Sequence, residues 1–206
     1  ANGLRTPIDT YGPTGLKDLD RNWWEANKLD IQVRIEDEGR THPDELVTAH
    51  DFDFEKEGVV FENDDVKVSA LRVPHPLVRD PYAYKFETKD GKIIVFSGDT
   101  AYFPDLARFA RGADILVHEV MYGPGIEALA RRIPNGATLL KHLKESHTLA
   151  EDVGKIAQAA EVKTLVLSHF VPGDDPSITA EMWASPVQAN FKGRIVVGKD
   201  LAEIPF

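Results

Sequence analysis

The residues able to do chemistry stand where apolar runs end. Asp99 follows KIIVFSG, His118 and Glu119 follow DILV, His169 follows KTLVLS, and His75 follows VKVSALRVP. His147 opens a helix in ESHTLAED. Imidazole and carboxylate are the ligands that zinc and similar ions accept, and strand ends in α/β sheets converge on one crevice. Taken singly, each residue has a plainer reading. Asp99 could cap a turn or helix, and a lone histidine is usually a satisfied polar group. Glu151 and Asp152 read as first-turn charges that complement a helix dipole. Together the residues point to metal chemistry, because three of the seven histidines and Asp99 share one sheet edge. His42, His50 and His142 fall outside this pattern and read as surface or loop residues. The chain has no cysteine, so a metal would be held by His and carboxylate alone.

The elements that must position these residues follow from periodicity. A short strand over 7–13 precedes a helix from 15 to about 28, where Leu16, Leu19, Trp23 and Trp24 keep helical spacing. Residues 36–52 are polar and read as a loop with short extended pieces. Alternation predicts strands over 58–62 and 66–73, and 82–88 and 92–96 flank KDGK as the arms of a hairpin with Asp90-Gly91 at its tip. Helices are expected over 104–111, 126–132, 138–144, 149–160 and 179–191. Strands are expected over 114–117, 163–167 and 194–197. The pattern is one α/β domain over 1–206, without repeats or linkers.

Composition excludes some functions. A net charge of −10 over 206 residues opposes broad binding to phosphate backbones. Apolar runs are strand-length, so no helix is expected to span a membrane; a soluble protein of the cytoplasm or periplasm is the expectation.

In order, IDTYGPTGL, VSALRVPHP with YAYKFE, VFSGDTAY, ADILVHEV, SHTLAED and KTLVLSHF resemble the metallo-β-lactamase superfamily. The branch is that of ribonuclease Z and the arylsulfatase-like metallohydrolases. The resemblance implies an αβ/βα sandwich and a dinuclear site, usually of two zinc ions. It implies His75 and His169 as ligands and Asp99 as the bridging carboxylate. His147 would assist the leaving group, with Glu119 orienting it; the alternative is that His118 and Glu119 are structural. The family's His-x-His-x-Asp-His motif is absent, so the expectation is an incomplete, C-terminal portion of the fold. Alone it would hold at most one poorly enclosed metal and would expose an apolar sheet face. A homodimer or a companion N-terminal fragment would cover that face.

The expected activity is hydrolysis of a small ester-like substrate: a sulfate, phosphate, carboxylic ester or lactone. Two alternatives stand beside it. One is a ribonuclease Z-like endonuclease acting on precursor transfer RNA. The other is a catalytically inactive fragment or interaction module. The small substrate is preferred because the net charge is acidic and no basic arm interrupts the 84–94 hairpin.

Overall fold

The structure is a computed structural model that describes residues 5–205. These fall into two compact units that meet in sequence between Phe54 and Glu55.

The first unit holds strand β1 (Ile8–Pro13), helix α1 (Leu16–Glu38), a 3₁₀ turn at Pro43–Glu45 and strand β2 (Val47–Phe52). β1 and β2 pair in parallel. The start of α1 is tied to β2, because the Asp51 carboxylate accepts from the N–H groups of Gly15 and Lys17. Those are orphan donors that every helix start presents. α1 runs ten residues past the expected end at 28. Its apolar spacing fades there, but ion pairs one turn apart take over: Arg34 reaches Asp30 at 2.8 Å and Glu38 at 3.2 Å. Gly39 ends the helix with φ 64°, its N–H returning to the carbonyl of Ile35.

The second unit is a seven-stranded mixed sheet in sequential order: β3 (Glu57–Glu62), β4 (Val66–Arg72), β5 (Tyr82–Thr88), β6 (Ile93–Phe96), β7 (Ile115–Met121), β8 (Thr164–Val171) and β9 (Arg194–Val197). The first four pair antiparallel and the last four parallel. Hairpins suffice for the first half, whereas each parallel step needs a crossover. α2 (Asp105–Phe109) crosses from β6 to β7. α3 (Gly123–Arg132), α4 (Gly136–Ser146) and α5 (Ala150–Ala160) lie between β7 and β8, and α6 (Ala180–Gln188) crosses to β9. Leu71, Ala83, Val95, Leu116 and Leu165 cover one sheet face and pack with Leu106, Val153, Ile156, Trp183 and Val187 of α2, α5 and α6. Across the other face a register row runs Ala70, Tyr84, Phe96, Val117, Val166 and Val196.

Asp114 locks the parallel half at its entrance. Its carboxylate accepts from Lys163 Nζ at 2.7 Å and from the Ile93 N–H at 2.8 Å, joining the starts of three strands. The Lys163 ammonium, helped by that backbone donor, holds the Asp114 carboxyl below its ordinary value. A lowered folded value means stability that is present at neutral pH and lost as pH falls through it. Asp114→Ala should cost about 1–3 kcal/mol at pH 7. In urea titrations the gap to the parent should narrow below about pH 4, the ordinary range of an aspartate; a gap independent of pH would contradict this.

Candidate metal centre

Asp99 leaves the end of β6 through a turn that only glycine tolerates. Gly98 has φ 60°, and a Cβ there would stand 2.8 Å from the carbonyl oxygen of Tyr82. His169 is delivered differently. Glu119 pairs with Ser168 and Val120 with Phe170, so His169 is the extra residue of a β-bulge inside β8. Its φ is 42°, an uncommon conformation for a side chain with a Cβ. The bulge turns the imidazole out of the ladder until Nε2 lies 3.5 Å from Asp99 Oδ2.

His147 closes α4 and stacks on His169, with centroids 5.4 Å apart and planes 20° apart. Asp99, His147 and His169 each offer a ligand atom, and these atoms lie within 4.8 Å of one another. His75, in the loop after β4, stands on another side of His147, with ring centroids 5.7 Å apart. The site expected from sequence was His75, Asp99 and His169; the tight group here is Asp99 and His169 with His147. His142 on α4 also enters the neighbourhood, its ring edge-on to His75 at 6.3 Å. The sequence places it outside the pattern, as a surface or loop residue. The available signal was its position on the helix that ends at His147.

Glu119 and His118 are buried inside β7, paired with Ser168 and Leu167. The expectation placed them just beyond the strand; parallel pairing to β8 carries β7 through to Met121. Glu119 is a hub. Its N–H donates to Ser97 Oγ at 3.0 Å, and Oε1 accepts from the Thr148 N–H at 2.7 Å and, more weakly, from that of Thr100. Thr148 Oγ1 donates in turn to the Thr100 carbonyl at 2.7 Å. One carboxylate thus fixes the Asp99 loop to the His147 loop. Its second oxygen approaches His147 Nδ1 to 3.4 Å, an ion-pair contact without hydrogen-bond alignment. Burial lowers the pKa of His147, but the Glu119 contact and the Glu119 and Asp99 charges outweigh it and hold it above its ordinary value.

His118 serves a different end. Its Nδ1 donates to the Glu119 carbonyl at 2.6 Å, and complete burial pulls its pKa down and keeps it neutral. The unfolded chain therefore binds a proton that the folded chain refuses, and stability falls as pH drops below about 6.5. His118→Asn should flatten the stability profile between pH 7 and 5 in denaturant titrations. An unchanged slope would mean that His118 is not the group responsible.

The donors fit a divalent cation. Two imidazoles and a carboxylate converge, without thiolate, and His75 Nδ1 beside them is buried without a hydrogen-bond partner. Unpartnered buried polar atoms are costly, so an electropositive occupant would balance this cluster.

The model of a beta-lactamase superfamily domain matches residues 3–170. The chain belongs to the metallo-β-lactamase superfamily. Its fold is that of a metal-dependent hydrolase, and divalent-metal binding goes with that fold. Over 198 residues it is 28% identical to a ribonuclease Z of Mycobacterium tuberculosis (strain ATCC 25177 / H37Ra), covering 96% of this chain and 68% of that one. It is also 28% identical to ribonuclease Z of Mycolicibacterium gilvum, where it spans 96% of itself and 65% of the relative. Among solved structures, the metallo-β-lactamase fold protein YhfI from Bacillus subtilis matches with a TM-score of 0.59 at 16% identity, over 94% of this chain and 63% of that one. Human tRNase Z, short form (ELAC1), matches with 0.59 at 17%, over 98% and 68%. The chain therefore spans about two thirds of the length of each of these four proteins.

These relatives overturn one expectation. A small ester-like substrate was preferred, yet the proteins that match along 96% of the chain are ribonucleases Z. The acidic total misled because it averages over the whole surface. Phosphate recognition depends on local charge, which a cation at the sheet edge would make positive. Among the described residues no helix is long and apolar enough to cross a membrane.

Proposed function

We propose that the chain carries the hydrolytic edge of a ribonuclease Z-like endonuclease acting on precursor transfer RNA. One family model runs across both units, which supports reading 1–206 as one metallo-β-lactamase-like domain. The observation that carries the reading is the convergence of Asp99, His147 and His169 in a chain whose relatives over nearly its whole length are ribonucleases Z. Asp99 and His169, with His147 or His75, would hold the metal, and zinc suits this donor set. When bound, such an ion supplies positive charge that polarises a phosphodiester and activates water.

The chain's own residues do the rest. With His75 as the third ligand His147 stays free, and Glu119 beside it raises its proton affinity, which suits a donor to the departing ribose oxygen. The bulge presents His169, and the Gly98 turn presents Asp99, to the same point. Rigid placement of this kind is what lets a phosphoryl centre meet its activating groups in line.

The test is cleavage of a 3′-extended precursor transfer RNA by the zinc-loaded protein, beside aryl sulfate and phosphodiester substrates. Cleavage at one site, lost on chelation and in His169→Ala, supports the reading. Turnover of the small esters alone would sink it.

A further inference from the structure

The loop that carries His75 joins β4 to β5 over residues 73–81, and with its two flanking residues it reads RVPHPLVRDPY. Prolines stand on both sides of His75, so the chain there is stiff and short of backbone donors. The His75 carbonyl accepts from the Val78 N–H at 3.2 Å, closing a turn with Pro76 second and Leu77 third. Leu77 has φ 71°, at a place where such a turn ordinarily takes glycine. Its side chain is 98% exposed, so no packing of its own holds it there. A residue in a strained conformation persists only where its surroundings fix it. The hold on this turn must come from the ends of the loop.

Arg72 grips those ends. It is the last residue of β4 and pairs in register with Tyr82, the first of β5. Its Nη1 donates to the Asp80 carboxylate at 2.7 Å and to the Arg79 carbonyl at 2.9 Å, and Nη2 donates to the Tyr82 hydroxyl at 2.8 Å. The Asp80 side chain is only 10% exposed, so the pair is sheltered, and its several acceptors need a planar fork and not merely a charge. On its other side the loop meets the Asp99 turn: the Pro74 carbonyl accepts from the Ala101 N–H at 2.8 Å. His75 lies between these two attachments. No hydrogen bond to its buried Nδ1 orients the ring, so the backbone does.

We propose that Arg72 is a positioning residue: by clasping Asp80 and Tyr82 it sets the angle of the loop and delivers His75 as the third donor beside Asp99 and His169. The inference rests on the metal-centre reading above and, of its two ligand sets, selects the one that contains His75.

Zinc affinity, read by competition with a chromophoric chelator, tests this without substrate, so the result does not depend on whether RNA is cleaved. Arg72→Lys keeps the charge opposite Asp80, so the protein should fold. One ammonium cannot also serve the Arg79 carbonyl and the Tyr82 hydroxyl as the fork does. The variant should bind zinc about tenfold more weakly than the parent, the lower end of what losing an outer partner costs. The double variant decides. If Arg72 acts through His75, then Arg72→Lys in a His75→Ala background should change affinity less than about twofold, because the ring it placed is gone. Should the lysine variant fail to fold, Tyr82→Phe, which removes one of these bonds and keeps the ring, carries the same comparison with a smaller loss. Parental affinity in Arg72→Lys would overturn the proposal. Equal losses in the two backgrounds would overturn it too, being the mark of a general structural role. So would parental affinity in His75→Ala, since the clasp would then have no ligand to place.

Discussion

Asp99→Ala should weaken divalent-metal binding by more than about 100-fold, because on the proposed reading it removes a direct donor and not merely an outer partner, whose loss costs roughly 10–100-fold. Asp99 is half-exposed and makes its closest charged contact, at 3.5 Å, with His169. The metal-free variant should therefore melt within a few degrees of the metal-free parent. Calorimetric titration with zinc and a melting curve in chelator separate the two effects. Unchanged affinity would remove Asp99 from the centre, and with it the idea that the Gly98 turn exists to present a ligand. His75→Ala run in parallel distinguishes the two candidate ligand sets. If the tight group of Asp99, His147 and His169 holds the metal, His75→Ala should affect binding less than His147→Ala.

Glu119→Ala should cost more in stability than any other change at the site, about 3 kcal/mol, since it strips a buried hydrogen-bonding hub and leaves the Thr148 N–H without an acceptor. Glu119→Gln keeps the acceptor but loses the charge, so the penalty should fall to about 1 kcal/mol. The charge also holds up the proton affinity of His147. In the metal-free Gln variant the His147 pKa should drop, since burial then acts against a weaker opposing charge; proton titration by NMR reads this out. A stable Ala variant with His147 unmoved would reduce Glu119 to a bystander.

Much of the sheet was legible in the chain. β4 and β5 carry period-two patterns and β6 is a short apolar run closed by the Asp90-Gly91 turn, so these strands could be read locally. Residues 194–197 form β9 as expected. The far half of α1 was not legible, since ion pairs and not apolar spacing sustain it. β7 and β8 were expected to stop at their polar residues. Both continue, because backbone pairing between neighbours is indifferent to whether a side chain is Val or Glu. For the site, a shared address at strand ends brought Asp99 and His169 together on paper. The closeness of His147, and the arrival of His142 beside His75, depend on how α4 lies against the sheet edge. That is a tertiary fact with no local signature.

The bulge in β8 has an effect on the strand as a whole. Leu165 and Leu167 point into the helix-covered core, and plain alternation would send position 169 after them. Instead Phe170 takes that place, packed against the same core, and His169 is squeezed out between. The strand thus changes phase by one residue, much as an inserted letter shifts a reading frame. Deleting Ser168 or His169 should restore the frame with Phe170 still on its core side, at the expense of the outward residue alone. The sheet can keep its core without the site; the site exists because one residue was added that the sheet does not use.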